Sequence, residues 1–270
     1  MLIKAPISYY GGKSKIAHLY PNPQYDLIVE PFAGSAAYSW LHRRDPATGR
    51  SRGVWLNDLD ARTYSIWNLL TSPDALSIVE AYVPDNVLAG QRVSDIIPAD
   101  YPGLVEICRA EANQGTQGAR GVHDQITSMG AKCWKVKRKL REVIPEVAHW
   151  RITNVSYEDL ANIPATWFID PPYKNPAGAR YRTSDIDYDN LGWWVLGRKG
   201  DVICCENYGA NWLPFEPFEH GHVSIRSRYQ KANAKEVMYY RSNRPNDSVV
   251  LSSSTSADEL SMSGESPFHE

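Results

Sequence analysis

An acidic side chain followed by two prolines and an aromatic ring, Asp170-Pro171-Pro172-Tyr173, stands directly after the apolar run Trp167-Phe168-Ile169. Two consecutive prolines fix φ, remove two N–H donors and hold the backbone extended. Carbonyl oxygens and the Asp170 carboxylate then face outward as acceptors just beyond a buried strand end. Such a row suits an amino group carried on a planar ring, and Tyr173 can stack on that ring. A plain turn with an acid before Pro-Pro is the alternative, but it does not explain the buried run that delivers the acid and the ring together.

Three further groups could supply a binding site. In Val29-Glu30-Pro31-Phe32-Ala33-Gly34-Ser35, an apolar strand runs through a glycine into a helix, which places a close-approach backbone at the carboxyl end of the strand, the usual ligand crevice of an open α/β sheet. Leu56-Asn57-Asp58-Leu59-Asp60 ends the next apolar run 24 residues beyond Gly34, the spacing at which a carboxylate accepts hydrogen bonds from ribose hydroxyls. Asp58 is the better candidate, because Asp60 would cap the helix starting at Ala61. Gly11-Gly12-Lys13-Ser14 looks at first like a phosphate loop. That motif would need Gly at position 7, where Ile7 stands, and a buried strand upstream, where Lys4 and Pro6 stand. What remains is a tight glycine turn presenting Lys13 and Tyr9. The four cysteines, Cys108, Cys133, Cys204 and Cys205, form no CxxC pair and have no histidine at ligand spacing, so no metal is expected.

The elements that must position these groups are short β-rich runs at 26–31, 53–58, 152–157, 166–173, 201–207 and 235–240. Several are apolar throughout, as strands buried on both faces are. Helical patterns follow at Gly34 to Arg44, Ala61 to Leu70 and Asn190 to Leu196, and strands alternating with helices predict a parallel α/β sheet. The rhythm stops between 71 and 150, where two glycine-containing loops, at Ala89-Gly90 and Gln114 to Gly121, flank mixed sequence that reads as an inserted domain. Near its end Ile126, Met129, Cys133, Val136, Leu140 and Val143 fall on one helix face, and Pro145 is expected to end that helix. Trp134, Lys137, Arg138 and Arg141 fall at i, i+3, i+4 and i+7, a basic stripe beside the apolar face that suits DNA phosphates or guanine edges.

Composition bounds the rest. The chain has 270 residues with 29 basic against 31 acidic side chains and 43% apolar residues, an ordinary globular balance. Residues 1–245 hold 29 basic against 26 acidic groups, so the body is mildly basic. The segment 245–270 is Ser-rich and acidic and is expected to be a disordered tail. No stretch approaches a membrane span and the N-terminus lacks the apolar run of a signal peptide, so a cytoplasmic location is expected.

Taken in order, YYGGK, VEPFAGSAAYSW, NDLD, SYEDL, FIDPPY and KEVMYY resemble the Dam-like, S-adenosylmethionine-dependent DNA adenine-N6 methyltransferases over residues 5–70 and 150–242. The resemblance implies a Rossmann-like class I methyltransferase sheet, cofactor binding by 1–70, a mostly helical target-recognition insertion at 71–150 and the DPPY half at 151–244. It implies Tyr9, Lys13, Glu30, Pro31, Phe32, Ala33, Gly34, Asp58 and Asp170 around the cofactor, with Asp58 on the ribose. Ser156 and Tyr157 correspond to a pair that is Asp-Phe in many relatives and contacts the cofactor adenine; here Ser keeps a hydrogen bond but no charge. Asp170, Pro171, Pro172 and Tyr173 would be catalytic, drawing the N6 nitrogen of a flipped-out adenine toward tetrahedral geometry without a metal. Double-stranded DNA is the partner so implied, and nothing in the residues supports a restriction endonuclease as a second one. A methyltransferase of RNA or of a protein amide, and a non-catalytic DNA-binding regulator on the same fold, are the competing readings.

Overall fold

The computed structural model describes residues 6–7, 9, 11–113, 123–176, 178–226 and 231–242, with the backbone alone at 219–226 and 231–235. The acidic tail, Tyr10 and the loop from Gln114 to Gly121 lie outside the described residues.

The apolar runs become strands β1 (Leu27–Glu30), β2 (Gly53–Asn57), β3 (Arg151–Thr153), β4 (Ala165–Ile169), β5 (Gly200–Asn207), β6 (Glu216–Arg226) and β7 (Lys231–Arg241). They form one seven-stranded sheet in the order β3-β2-β1-β4-β5-β7-β6. The first five strands pair in parallel, and β7 lies antiparallel between β5 and β6. This is the Rossmann-like α/β architecture expected from the alternation of elements. β6 escapes a reading of the sequence because Pro217 and Gly221 interrupt its pattern; it is the edge strand, where proline costs no ladder bond, and its register shifts between Pro217 and His222.

Side chains alternate cleanly across the sheet. Ile28, Leu56, Phe168 and Ile203 point to a face covered by α1 (Ala37–His42) and α2 (Ala61–Leu70), while Val29, Trp55, Trp167 and Val202 point to a face covered by α8 (Tyr188–Leu196). Asp60 caps α2 by accepting from the Arg62 N–H, and Asp187 caps α8. Between α2 and β3 stand α3 (Ala75–Tyr82), α4 (Val93–Ile96), α5 (Pro102–Ala112), α6 (Ser128–Lys132) and α7 (Val136–Val147). Their buried residues Val79, Leu104 and Leu140 join the same apolar cluster as Ile28 and Phe168. Gly103 makes this packing close: a Cβ there would run into the Ser65 carbonyl of α2.

Two expectations for the insertion are corrected. The helix foreseen from Ile126 through Val143 is broken at Cys133–Lys135 into α6 and α7, so one spacing cannot be carried across it. Met129, assigned to the apolar face, is 58% exposed as a result. Pro145 does not end α7, which continues to Val147. Pro145 lies in the last turn, where its missing N–H removes a single intrahelical bond. Among the described residues, no helix is long and apolar enough to cross a membrane.

Candidate active site

The sheet reverses its winding between β1 and β4, and the crevice outside the carboxyl ends at such a reversal is where open α/β sheets bind ligands. The loops there are tied together by buried polar groups. Asn57, at the end of β2, donates from Nδ2 to the carbonyls of Pro31 and Val155, both at 3.1 Å, and so joins the loops after β1 and β3. Its own carbonyl accepts from the Ala33 N–H at 2.9 Å. Asp58 accepts from the N–H groups of Gly34 and Asp60, each at 2.9 Å. The Gly34 carbonyl accepts from Trp67 Nε1 of α2. Gly34 has φ +45, and a Cβ there would press on the Tyr9 ring at 3.1 Å. A side chain is excluded on both counts.

Glu30 ends β1 and accepts from the Ser39 N–H in the first turn of α1 at 2.8 Å. Burial pushes its carboxyl up to about 8. Burial likewise raises Asp58 to about 7, against the pull of its two backbone donors. These two acids therefore face the cleft with pKa values far above those of surface carboxylates.

A charged cluster closes the other wall. Lys13 Nζ donates to Asp170 Oδ1 at 2.7 Å and lies 3.4 Å from Glu236 Oε1 on β7. The same Glu236 accepts from the hydroxyls of Tyr20 at 2.5 Å and Tyr173 at 3.0 Å. Burial alone would strip Lys13 of its proton, but the two carboxylates outweigh it and hold the ammonium well above the ordinary lysine value. Asp170 is raised instead, by burial first and by the like charge of Glu236 as well. Two acids sharing one cation cannot both be fully satisfied.

These walls border an open cleft. Tyr9, Lys13, Glu30, Phe32, Ala33, Gly34, Asp58, Asp170 and Pro172 line it, so most of the candidate site residues are brought together from stretches far apart in sequence. Pro31 and Pro171 lie behind the lining. Tyr173 turns away from the cleft: its ring sits under Lys13, 4.8 Å from Nζ, and its hydroxyl is held by Glu236. Ser156 caps the short 3-10 turn Tyr157–Asp159, and Tyr157 meets the lining residue Phe32, ring centres 5.6 Å apart.

Sequence reasoning missed the loop after β4. Tyr181 stacks on Tyr9 with ring centres 6.1 Å apart, and Tyr181 and Thr183 line the cleft. Arg182 forms an ion pair with Asp60 at 2.8 Å, fastening that loop to the end of β2. It missed Glu236 too. An acid within a strand that reads as buried, Lys-Glu-Val-Met-Tyr-Tyr, is the signal that could have marked it.

Of the stripe assigned to DNA, Trp134 departs from the expected face. Trp134 is only 9% exposed and donates from Nε1 to the Pro84 carbonyl. Lys137 and Arg141 pair with Glu80 of α3, Arg141 donating from Nε and Nη2 at 2.5 and 2.6 Å. The break at 133–135 turns Trp134 inward and leaves Arg138 exposed on α7. Among the described residues no group of three metal-ligating side chains occurs.

No protein-family model matches the sequence, and no curated protein matches it. One solved structure with a related chain path is the "Putative methyltransferase yhhF from Escherichia coli", 11% identical, covering 81% of this chain and 78% of that one with a TM-score of 0.33. At that identity and score the likeness adds nothing to the argument from the site.

Proposed function

We propose that this protein transfers a methyl group from S-adenosylmethionine to an amino nitrogen, and that the amine is N6 of an adenine in double-stranded DNA. The observation that carries the reading is Asp170. It stands at the carboxyl end of β4 and lines the same cleft as Gly34 and Asp58, so an amine acceptor and the carboxylate proposed for a ribose share one space.

The residues fit the cofactor. Gly34 leaves its backbone bare toward the cleft, and Phe32 and Tyr9 offer apolar surface. Each Asp58 oxygen accepts one N–H and keeps a second lone pair for a ribose hydroxyl. Glu30 and Asp170 line the cleft with acidic groups that would favour a cationic cofactor, and the cofactor, when bound, would supply an electrophilic methyl. Asp170 does the rest of the orienting. By accepting an N–H it turns the nitrogen lone pair into the cleft and stabilises the positive charge that grows there. Its raised pKa suits it to take the proton that the nitrogen must release.

The choice of duplex DNA rests on the order of the motifs and on the DPPY row. Incubating the protein with tritiated S-adenosylmethionine and, separately, unmethylated duplex DNA, RNA and a protein extract tests it. Label in DNA alone is expected. Label in RNA or protein moves the substrate, and DNA binding without label makes the chain a regulator.

A further inference from the structure

The Lys13 ammonium sits on Oδ1 of Asp170, the carboxylate that the methyl-transfer reading assigns to the substrate amine. The two carboxylates around that ammonium are unequal. Asp170 is 20% exposed toward the cleft, whereas Glu236 is 1% exposed and is fixed by two tyrosine hydroxyls. Lys13, itself 5% exposed, already lies within reach of both acids, and its three donors can shift between them.

We propose that Glu236 is a positioning residue that gives Lys13 a second seat, so that a docking amine takes over Asp170 while the ammonium settles on Glu236. This inference rests on the methyl-transfer reading. No charge has to leave the protein in the exchange. Without Glu236 the ammonium would have Asp170 as its sole anionic partner and would compete with every substrate.

The test is the kinetics of Glu236→Gln with unmethylated plasmid DNA. KM for DNA should rise about tenfold, the size of one charge-assisted contact, with kcat and cofactor affinity close to wild type. Glu236→Asp, which keeps the charge, should recover most of that loss. If the amide does not fold, the residual rise left in Glu236→Asp is read instead: it should vanish in the Lys13→Met background, and its persistence there overturns the second seat. In a Lys13→Met background, Glu236→Gln should have little further effect, because its partner is gone. If that background is inactive, the affinity for the same DNA with S-adenosylhomocysteine is compared instead. An unchanged KM in the single variant, or an equal rise in the Lys13→Met background, overturns the second seat. Wild-type protein that labels no DNA would instead overturn the methyl-transfer reading.

Discussion

At the scale of residues, the site is a balance between burial and pairing. Asp170→Ala should cut methyl transfer about 100-fold or more, since a preorganised acceptor is lost at the nitrogen. The same change leaves Lys13 with Glu236 alone, so stability should fall too, by about 1–3 kcal/mol for a charged group that loses a partner. Equilibrium urea unfolding reads the second effect, and near-wild-type turnover would remove Asp170 from the mechanism. Glu30 and Asp58 give a pH dependence with a definite sign. Folded, they titrate near 8 and 7, whereas the unfolded chain releases those protons at about 4. Between these values the folded state holds more protons, so stability falls as pH rises from about 5 to about 8 and then levels off. Calorimetry should show a lower Tm at pH 8 than at pH 6, with a smaller difference in Glu30→Gln; a Tm that rises over the range contradicts it. Asp58→Ala should weaken S-adenosylmethionine about tenfold, since charge-assisted bonds to the ribose disappear. Titration calorimetry measures this, and unchanged affinity would leave Asp58 as no more than the tie between the Gly34 and Asp60 backbones.

At the scale of elements, what could be read from sequence depended on whether a signal was local. Gly34, Asp58 and Asp170 were legible because each immediately follows an apolar run, and a strand end next to a turn residue is a signal within a few positions. Asp60 was assigned correctly to the cap of α2 for the same reason. Glu236 and Arg182 were not legible, because their roles depend on which strands become neighbours: β7 reaches the site only by inserting antiparallel beside β5. Trp134 fell outside the expected stripe because a break at 133–135 separates it from α7, and hydrophobic periodicity does not register so short an interruption. Trp134→Ala should therefore destabilise the protein by about 3–5 kcal/mol, the range for a buried tryptophan truncated to alanine. Weakened DNA binding with an unchanged unfolding curve would restore the exposed stripe.

At the scale of the whole molecule, one sheet reversal brings residues 9, 11–13, 30, 32–34, 58, 168, 170 and 172 to a single crevice, although the insertion separates the last three from the rest by the whole of 71–150. The alternation of strands and helices was enough to give the parallel sheet, yet it could not show that the insertion packs into the same core as α1 and α2. That packing makes the crevice floor and the inserted helices one buried body of side chains. The central claim is that this crevice moves a methyl group onto an amine held by Asp170. The most direct measurement is to incubate full-length protein with unmethylated duplex DNA and tritiated S-adenosylmethionine, digest the DNA, and quantify labelled N6-methyldeoxyadenosine for wild type and Asp170→Ala. Labelled N6-methyldeoxyadenosine from wild type, reduced about 100-fold or more in the variant, is the predicted result. No labelled nucleoside from wild type, or equal label from both, would contradict the account.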